Sequence, residues 1–140
     1  MKKIAVITPV FNGERFIAEC IKSVDLAITG NDFVIEHVIV DDGSTDNSWK
    51  IIDEIRSSKI KPFRLEKNSG ISTARNLGVK MTEADYLFCL DVDDVLIQNS
   101  LKTLFEFSEQ QKADWVYGDF LRTNVNLSYL LGQDYYGHQF

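Results

Sequence analysis

Val38-Ile39-Val40-Asp41-Asp42-Gly43-Ser44-Thr45-Asp46 decides the fold of this chain. An unbroken β-branched run suits a strand covered on both faces, as in parallel sheets. It ends abruptly in two acids. Gly43 supplies a bend, and Ser44, Thr45 and Asp46 are cap-forming side chains that open a helix carrying Trp49, Ile52 and Ile55. A strand running straight into a helix is half of a strand–helix–strand unit.

The same alternation continues on both sides. Upstream, Ile4–Thr8 is a compact strand ended by Pro9, and Asn12-Gly13 is a turn. Phe16, Ile17, Cys20, Ile21, Val24 and Ile28 then recur at helical spacing up to Gly30-Asn31. The deciding strand itself begins at Phe33 and runs to Val40. Downstream, Phe63–Glu66 is a short strand, Asn68-Ser69-Gly70 a loop, and Ser72 to about Met81 a helix with Ala74, Leu77 and Gly78 on one face. Tyr86–Leu90 is the most apolar strand; Leu101, Leu104, Phe105 and Ser108 mark another helix, and Trp115–Gly118 a last strand. This order predicts an α/β layer: a mostly parallel sheet with helices on both faces. Right-handed crossovers then bring the C-terminal ends of the strands to one edge, where ligands of open α/β sheets bind.

Composition narrows the function. The 140 residues carry 15 Lys and Arg against 21 Asp and Glu, a net charge of −6, with 44% hydrophobic and 26% charged residues. That is ordinary globular material, with 8 Gly and 2 Pro, and no internal repeat or low-complexity segment. Nucleic-acid affinity needs clustered cations. The nearest approach to a cluster, Lys59, Lys61 and Arg64, reads as a solvated connector, so no nucleic-acid partner is expected. Cys20 and Cys89 sit in apolar runs and are expected to be buried thiols of a reducing, cytoplasmic compartment. No apolar run approaches the ~20 residues of a membrane helix. The opening Met1-Lys2-Lys3 and Ile4–Val10 lacks a small-residue cleavage site and reads as a first strand.

Acids follow two of the strands. Asp91-Val92-Asp93-Asp94 sets three carboxylates within four residues, where mutual repulsion and desolvation oppose ionisation unless a cation is present. Hard oxygen donors suit Mg²⁺ or Mn²⁺. Capping and turn roles before the next helix are the structural alternative, strongest for Asp94. Asp41 and Asp42 could accept hydrogen bonds from a nucleobase imide or a ribose hydroxyl. A plain strand-to-helix turn explains Gly43, Ser44 and Asp46 but not two adjacent acids. Asn68–Asn76 opens a helix and carries Arg75, a combination able to hold phosphate. Arg75 could equally pair with a neighbouring acid. His37 and His138 have no companions at metal-ligand spacing, and neither dinucleotide nor P-loop glycine fingerprints occur.

Val6-Ile7-Thr8-Pro9-Val10-Phe11-Asn12, the Asp41–Asp46 segment, Asn68-Ser69-Gly70-Ile71-Ser72-Thr73-Ala74-Arg75-Asn76 and Leu90-Asp91-Val92-Asp93-Asp94 together resemble, in order, the family 2 glycosyltransferases. The resemblance spans about Ile4 to Gly118. It implies the Rossmann-like, nucleotide-sugar-binding portion of a glycosyltransferase A-type fold, and metal-dependent, inverting transfer of a sugar from a nucleotide-sugar to a glycan or other hydroxyl acceptor in cell-surface polysaccharide or glycan synthesis. UDP-sugars are the first expectation for the donor. By position, Pro9 and Phe11 flank the base, with Phe11 where the family often has Tyr. Asp42 matches the base-recognising carboxylate, with Asp41 a second candidate beside it. Asn68 and Arg75 match residues near the diphosphate. Asp93 matches the direct ligand of Mn²⁺ or Mg²⁺, and Asp91 lies nearer the ribose or sugar within the same metal motif.

One element of the family pattern is missing. The general base is an acid from the second half of the domain, usually in a Glu-Asp pair, and Leu127–Phe140 holds one acid, Asp134, outside that context. The chain is therefore expected to comprise a donor-binding domain over 1–120 and a tail, 121–140, leading into an absent acceptor-binding portion, with little activity alone. Peripheral membrane association through such absent regions, and pairing of copies through Tyr129, Leu130, Leu131, Tyr135, Tyr136 and Phe140, belong to the same expectation. The competing class is a non-catalytic nucleotide-binding module. An Asp-nucleophile phosphohydrolase is disfavoured, because Val95-Leu96 replaces the Thr or Ser such enzymes need.

Overall fold

The structure, a computed structural model, describes residues 1–27, 33–55 and 57–121. Its elements are β1 (Lys2–Val10), α1 (Ile17–Leu26), β2 (Phe33–Asp41), α2 (Ser48–Glu54), β3 (Ile60–Arg64), α3 (Ile71–Lys80), β4 (Tyr86–Cys89) and α4 (Ser100–Gln111). Two compact units divide at Lys102 and Thr103.

In the first unit four strands form one sheet in the order β3-β2-β1-β4, and every pairing is parallel. The α/β expectation holds, with helices on both faces. On one face Ile17 and Ile21 of α1 and Ile52 of α2 pack with Val10, Ile39 and Ile60. On the other, Ala74 of α3 packs with Ala5, Ile7, Val38 and Val40. β1 and β2 are central, which is why their apolar runs are continuous and almost wholly buried. Gly78 lets α3 approach β1 closely, since a Cβ there would lie 2.5 Å from Ile7 Cγ2.

The strand expectations need four corrections. β3 starts at Ile60 and ends at Arg64, instead of spanning Phe63–Glu66. Its Pro62 is tolerated because β3 is an edge strand. Lys61 and Arg64 are consequently not a solvated connector: Lys61 pairs with Glu36 and Arg64 with Asp41, both on β2. Cys20 is buried as expected, but Cys89 is exposed on the opposite edge strand, β4, where alternate residues face outwards. Among the described residues Trp115–Gly118 forms no strand: Trp115 and Tyr117 are exposed, and no described residue pairs with this run to give the hydrogen-bond ladder a strand requires.

In the second unit the chain leaves α4 through Lys112, at a φ of 52°, and Ser108 closes the turn. Its hydroxyl donates to the Ala113 carbonyl at 3.3 Å while the Ala113 N–H donates to the Ser108 carbonyl at 3.0 Å. Residues 122–140, with Asp134 and the apolar and aromatic side chains from Tyr129 to Phe140, lie outside the described residues.

Candidate functional site

Parallel pairing carries the ends of β1, β2 and β4 to one rim of the sheet. The ladder continues past each strand: Asp42 N–H donates to the Val10 carbonyl at 2.7 Å, and Leu90 N–H donates to the Ile7 carbonyl at 3.0 Å. The turns leaving β1 and β2 are stitched together side by side. Asn12, at a φ of 51° that Asn tolerates, accepts from the Thr45 N–H at 2.9 Å through its Oδ1. Its own N–H donates to Ser44 Oγ at 3.0 Å, and the Gly13 N–H donates to Ser48 Oγ at 2.8 Å. Glu14 accepts from the Asn47 N–H at 2.9 Å. This lattice fixes where Pro9, buried, and Phe11, half-exposed, leave the sheet.

It also explains why α2 opens later than the sequence suggests. Asp46 accepts from the Ser48 backbone N–H at 2.9 Å, so Ser44, Thr45 and Asp46 belong to the turn. Burial opposes ionisation of Asp46, yet the Ser48 hydrogen bonds outweigh it and hold its pKa below the ordinary value.

The two acids ending β2 are both buried, and they do different work. Asp42 accepts from the Ser69 N–H at 2.7 Å through one oxygen and from the Gly70 N–H at 2.8 Å through the other. Its carboxylate thereby holds the Asn68–Gly70 loop at the start of α3. Gly43 is the other half of that contact. Its φ is +71°, and a Cβ would meet the Lys67 and Asn68 backbone at 2.6–2.8 Å. Asp41 is 0% exposed. Its Oδ1 lies 3.4 Å from the Ser44 N–H, and its Oδ2 lies 3.1 Å from Arg64 Nε without any hydrogen-bond partner.

Arg75, on α3, reaches Asp91 and pairs with it through Nη2, while its Nε is buried without a hydrogen-bond partner. The neighbouring-acid role for Arg75 is thus realised, and it joins α3 to the acidic loop after β4. That loop is also held from α1: the Leu96 N–H donates to Ser23 Oγ at 3.0 Å, and Val92 packs where a Gly13 Cβ would sit, 2.9 Å away. Asp93 and Asp94 are exposed. The Asp94 pKa is raised, first by partial desolvation and then by repulsion from Asp93 and Asp91. Among the described residues, no three His, Cys, Asp or Glu side chains are grouped to hold a metal ion unaided.

The family model for glycosyl transferase family 2 matches residues 5–131. The chain belongs to that family. Among its glycosyl transferase relatives, the poly(ribitol-phosphate) β-N-acetylglucosaminyltransferase TarP of Staphylococcus aureus is 36% identical over 124 residues, 86% of this chain and 37% of TarP. The glycosyltransferase GlyG of Streptococcus pneumoniae is 29% identical over 138 residues, 94% of this chain and 45% of GlyG. The crystal structure of S. aureus TarS 1–349 in complex with UDP superimposes with a TM-score of 0.73 at 32% identity, covering 81% of this chain and 34% of the crystallised 1–349 chain. The expected glycosyltransferase A-type fold is therefore the fold found. TarS has also been crystallised with UDP-GlcNAc. The chain spans less than half the length of these relatives.

Sequence reasoning missed Arg64, Asn12, Glu14 and Ser23. Arg64 alone carried a usable signal: a cation on a strand calls for a partner on its neighbour, and the misplaced start of β3 hid the pairing of Arg64 with Asp41.

Proposed function

We propose that this chain is the donor-binding region of an inverting, metal-dependent glycosyltransferase that takes its sugar from a UDP-sugar and serves cell-surface polysaccharide synthesis. The observation that carries the reading is the tying of the strand-end motifs into one rim: Asp42 grips the Asn68–Gly70 loop, and Arg75 of α3 grips Asp91. The family's transferases, and TarS crystallised with UDP and UDP-GlcNAc, support the same substrate class.

In this reading Pro9 and Phe11 border the base, and its imide N–H donates to the carboxylate of Asp42, which has acceptor capacity beyond the Ser69 and Gly70 amides, with Asp41 beside it as the second candidate. Asn68 and Arg75 face the diphosphate, and Asp91 lies nearest the ribose or sugar. The donor set fits a hard cation. Asp93 and Asp91 raise the Asp94 pKa by repulsion after partial desolvation, and exposed Asp93 and half-buried Asp91 would hold a cation that also takes oxygen ligands from outside the protein. When bound at Asp93 and Asp91, Mn²⁺ or Mg²⁺ supplies Lewis-acid stabilisation of the charge developing on the departing diphosphate. Asp91 would share its charge between Arg75 and the donor. The acceptor is a glycan or other hydroxyl compound, and no described side chain is assigned as its general base. Two free cysteines, one buried and one exposed, agree with a reducing, cytoplasmic setting. Among the described residues no helix is long and apolar enough to cross a membrane.

Isothermal calorimetry tests this directly. UDP is expected to bind with Mn²⁺ dependence, and Asp93→Ala to remove that dependence while leaving the thermal melt unchanged. Identical UDP binding with and without metal, in wild type and variant alike, would count against the metal assignment. No UDP binding under any condition would dispose of the donor-binding reading itself.

A further inference from the structure

Arg75 and Asp91 are both assigned to the donor above, yet in the ligand-free rim they satisfy each other. Arg75 Nη2 pairs with Asp91 Oδ1, and solvent reaches both groups, with 34% and 44% of their side-chain surfaces exposed. Their backbones are fixed. Ala74 is buried against β1 and β2 and Gly78 lies against Ile7, so α3 cannot shift without opening that packing. The Asp91 carbonyl accepts from the Asp94 N–H at 3.0 Å and from Cys20 Sγ at 3.9 Å, and the Leu90 N–H just before it donates to the Ile7 carbonyl. The side chains are held less firmly. Arg75 leaves its buried Nε without a hydrogen-bond partner, so its resting position is incompletely satisfied, and the pair is joined through one Asp91 oxygen alone.

We propose that the Arg75–Asp91 pair is a latch that couples cation binding to diphosphate binding. Arg75 holds the Asp91 carboxylate while the rim is empty, and gives up its share of it as the guanidinium turns to a diphosphate. The pair must loosen before Asp91 can serve a metal ion, and it must loosen before Arg75 can serve a phosphate. Whichever ligand arrives second finds that cost already met, and a coupling of this kind is reciprocal. Side-chain rotation is all the exchange requires, because the strand end and α3 keep their backbones in place. Arg75 thus stands in for the cation in the free protein and keeps the empty acidic loop from carrying its charge unpaired. The inference rests on the donor and metal assignments above and adds how the two ligands influence each other.

The test measures Mn²⁺ affinity by electron paramagnetic resonance of the free ion, on wild type and Arg75→Met, with and without UDP and after correction for Mn²⁺ that UDP holds in solution. In wild type, UDP should tighten Mn²⁺ binding. In Arg75→Met the affinity for Mn²⁺ alone should rise about three- to fivefold, the upper part of the range for a half-exposed ion pair, and the tightening by UDP should shrink by a similar factor. Calorimetry of UDP with and without Mn²⁺ should show the same shrinkage, since the coupling is reciprocal. Loss of a positive charge that merely lies nearby would raise Mn²⁺ affinity equally in both states; that result, with the coupling unchanged, overturns the proposal. An affinity for Mn²⁺ alone that stays level or falls overturns it too. If Arg75→Met does not fold, Arg75→Gln, which keeps a hydrogen-bond donor but no charge, carries the comparison with the same expected direction. Wild type that binds no Mn²⁺ in either state removes the metal assignment and this inference together, whereas wild-type coupling that survives undiminished in the variant removes the inference alone.

Discussion

Replacing Gly43 by alanine should damage the rim more than any strain calculation on residue 43 alone suggests. The φ of +71° puts an L-residue in the left-handed region, at a cost of about 1–2 kcal/mol. The added Cβ would stand 2.6 Å from the Lys67 carbonyl carbon and 2.7 Å from Asn68 N, and no side-chain rotation relieves a clash with backbone. The Lys67–Gly70 loop must retreat, and it is held by Asp42 through hydrogen bonds of 2.7 and 2.8 Å. Hydrogen bonds to a charged group contribute about 1.5–3 kcal/mol each, so strain plus the loss of one bond predicts about 2.5–5 kcal/mol. Gly70→Ala is the control: its φ is +92°, but a Cβ there meets nothing within 4 Å, so it should cost about 1–3 kcal/mol through backbone strain alone. Urea unfolding of both variants, each with and without Asp42→Asn, measures the difference. Asp42→Asn should cost clearly less in the Gly43→Ala background than in wild type, because the same bond is already broken. Gly43→Ala no worse than Gly70→Ala, with fully additive Asp42→Asn, would refute this reasoning.

Two further predictions concern the core beneath the rim. His37 is buried, its Nε2 lies 2.9 Å from Thr8 Oγ1, and burial lowers its pKa from 6.5 to about 4. Below pH 6.5 the unfolded chain takes up a proton that the native imidazole refuses, so stability should fall by about 3 kcal/mol between pH 6.5 and pH 4 from this group, with no contribution above pH 6.5. His37→Gln should flatten that part of the stability profile measured by urea unfolding, and an unchanged slope would contradict it. Gly78→Ala places a Cβ 2.5 Å from the fully buried Ile7 side chain and should destabilise by about 1–3 kcal/mol despite the better helix propensity of alanine; a stabilised variant in thermal melts would contradict the close α3–β1 packing.

The central strands and their order of helices were legible because burial on both faces leaves an unbroken apolar run, as in Val38–Val40, whatever the neighbours do. Edge strands carry a weaker mark. β3 contains Pro62 and two cations whose partners lie on β2, so composition alone read Ile60–Arg64 partly as a connector. β4 exposes Leu87 and Cys89, although the sequence there is wholly apolar. At the site, residue types and spacing identified the acids but not their assignments. Asp41 and Asp42 are adjacent, and the family resemblance favoured Asp42 for the base with Asp41 as the second candidate. Only the tertiary placement of the Ser69 and Gly70 amides shows that Asp42 braces a loop while Asp41 keeps an unpartnered oxygen. Arg75 presented two open roles for the same reason. Its pairing with Asp91 depends on how α3 crosses the sheet, which no local pattern records.

The central claim is that the rim formed by the ends of β1, β2 and β4 holds a nucleotide-sugar. Titration of the ¹⁵N-labelled protein with UDP-GlcNAc in the presence of Mg²⁺ reads this out residue by residue. The account predicts saturable amide shifts concentrated at Phe11, Asp41–Ser44, Asn68–Gly70 and Asp91–Asp94, with the β1 residues Lys2 and Lys3 at the opposite edge of the sheet unmoved. No saturable shift, or shifts centred on that opposite edge, would contradict it.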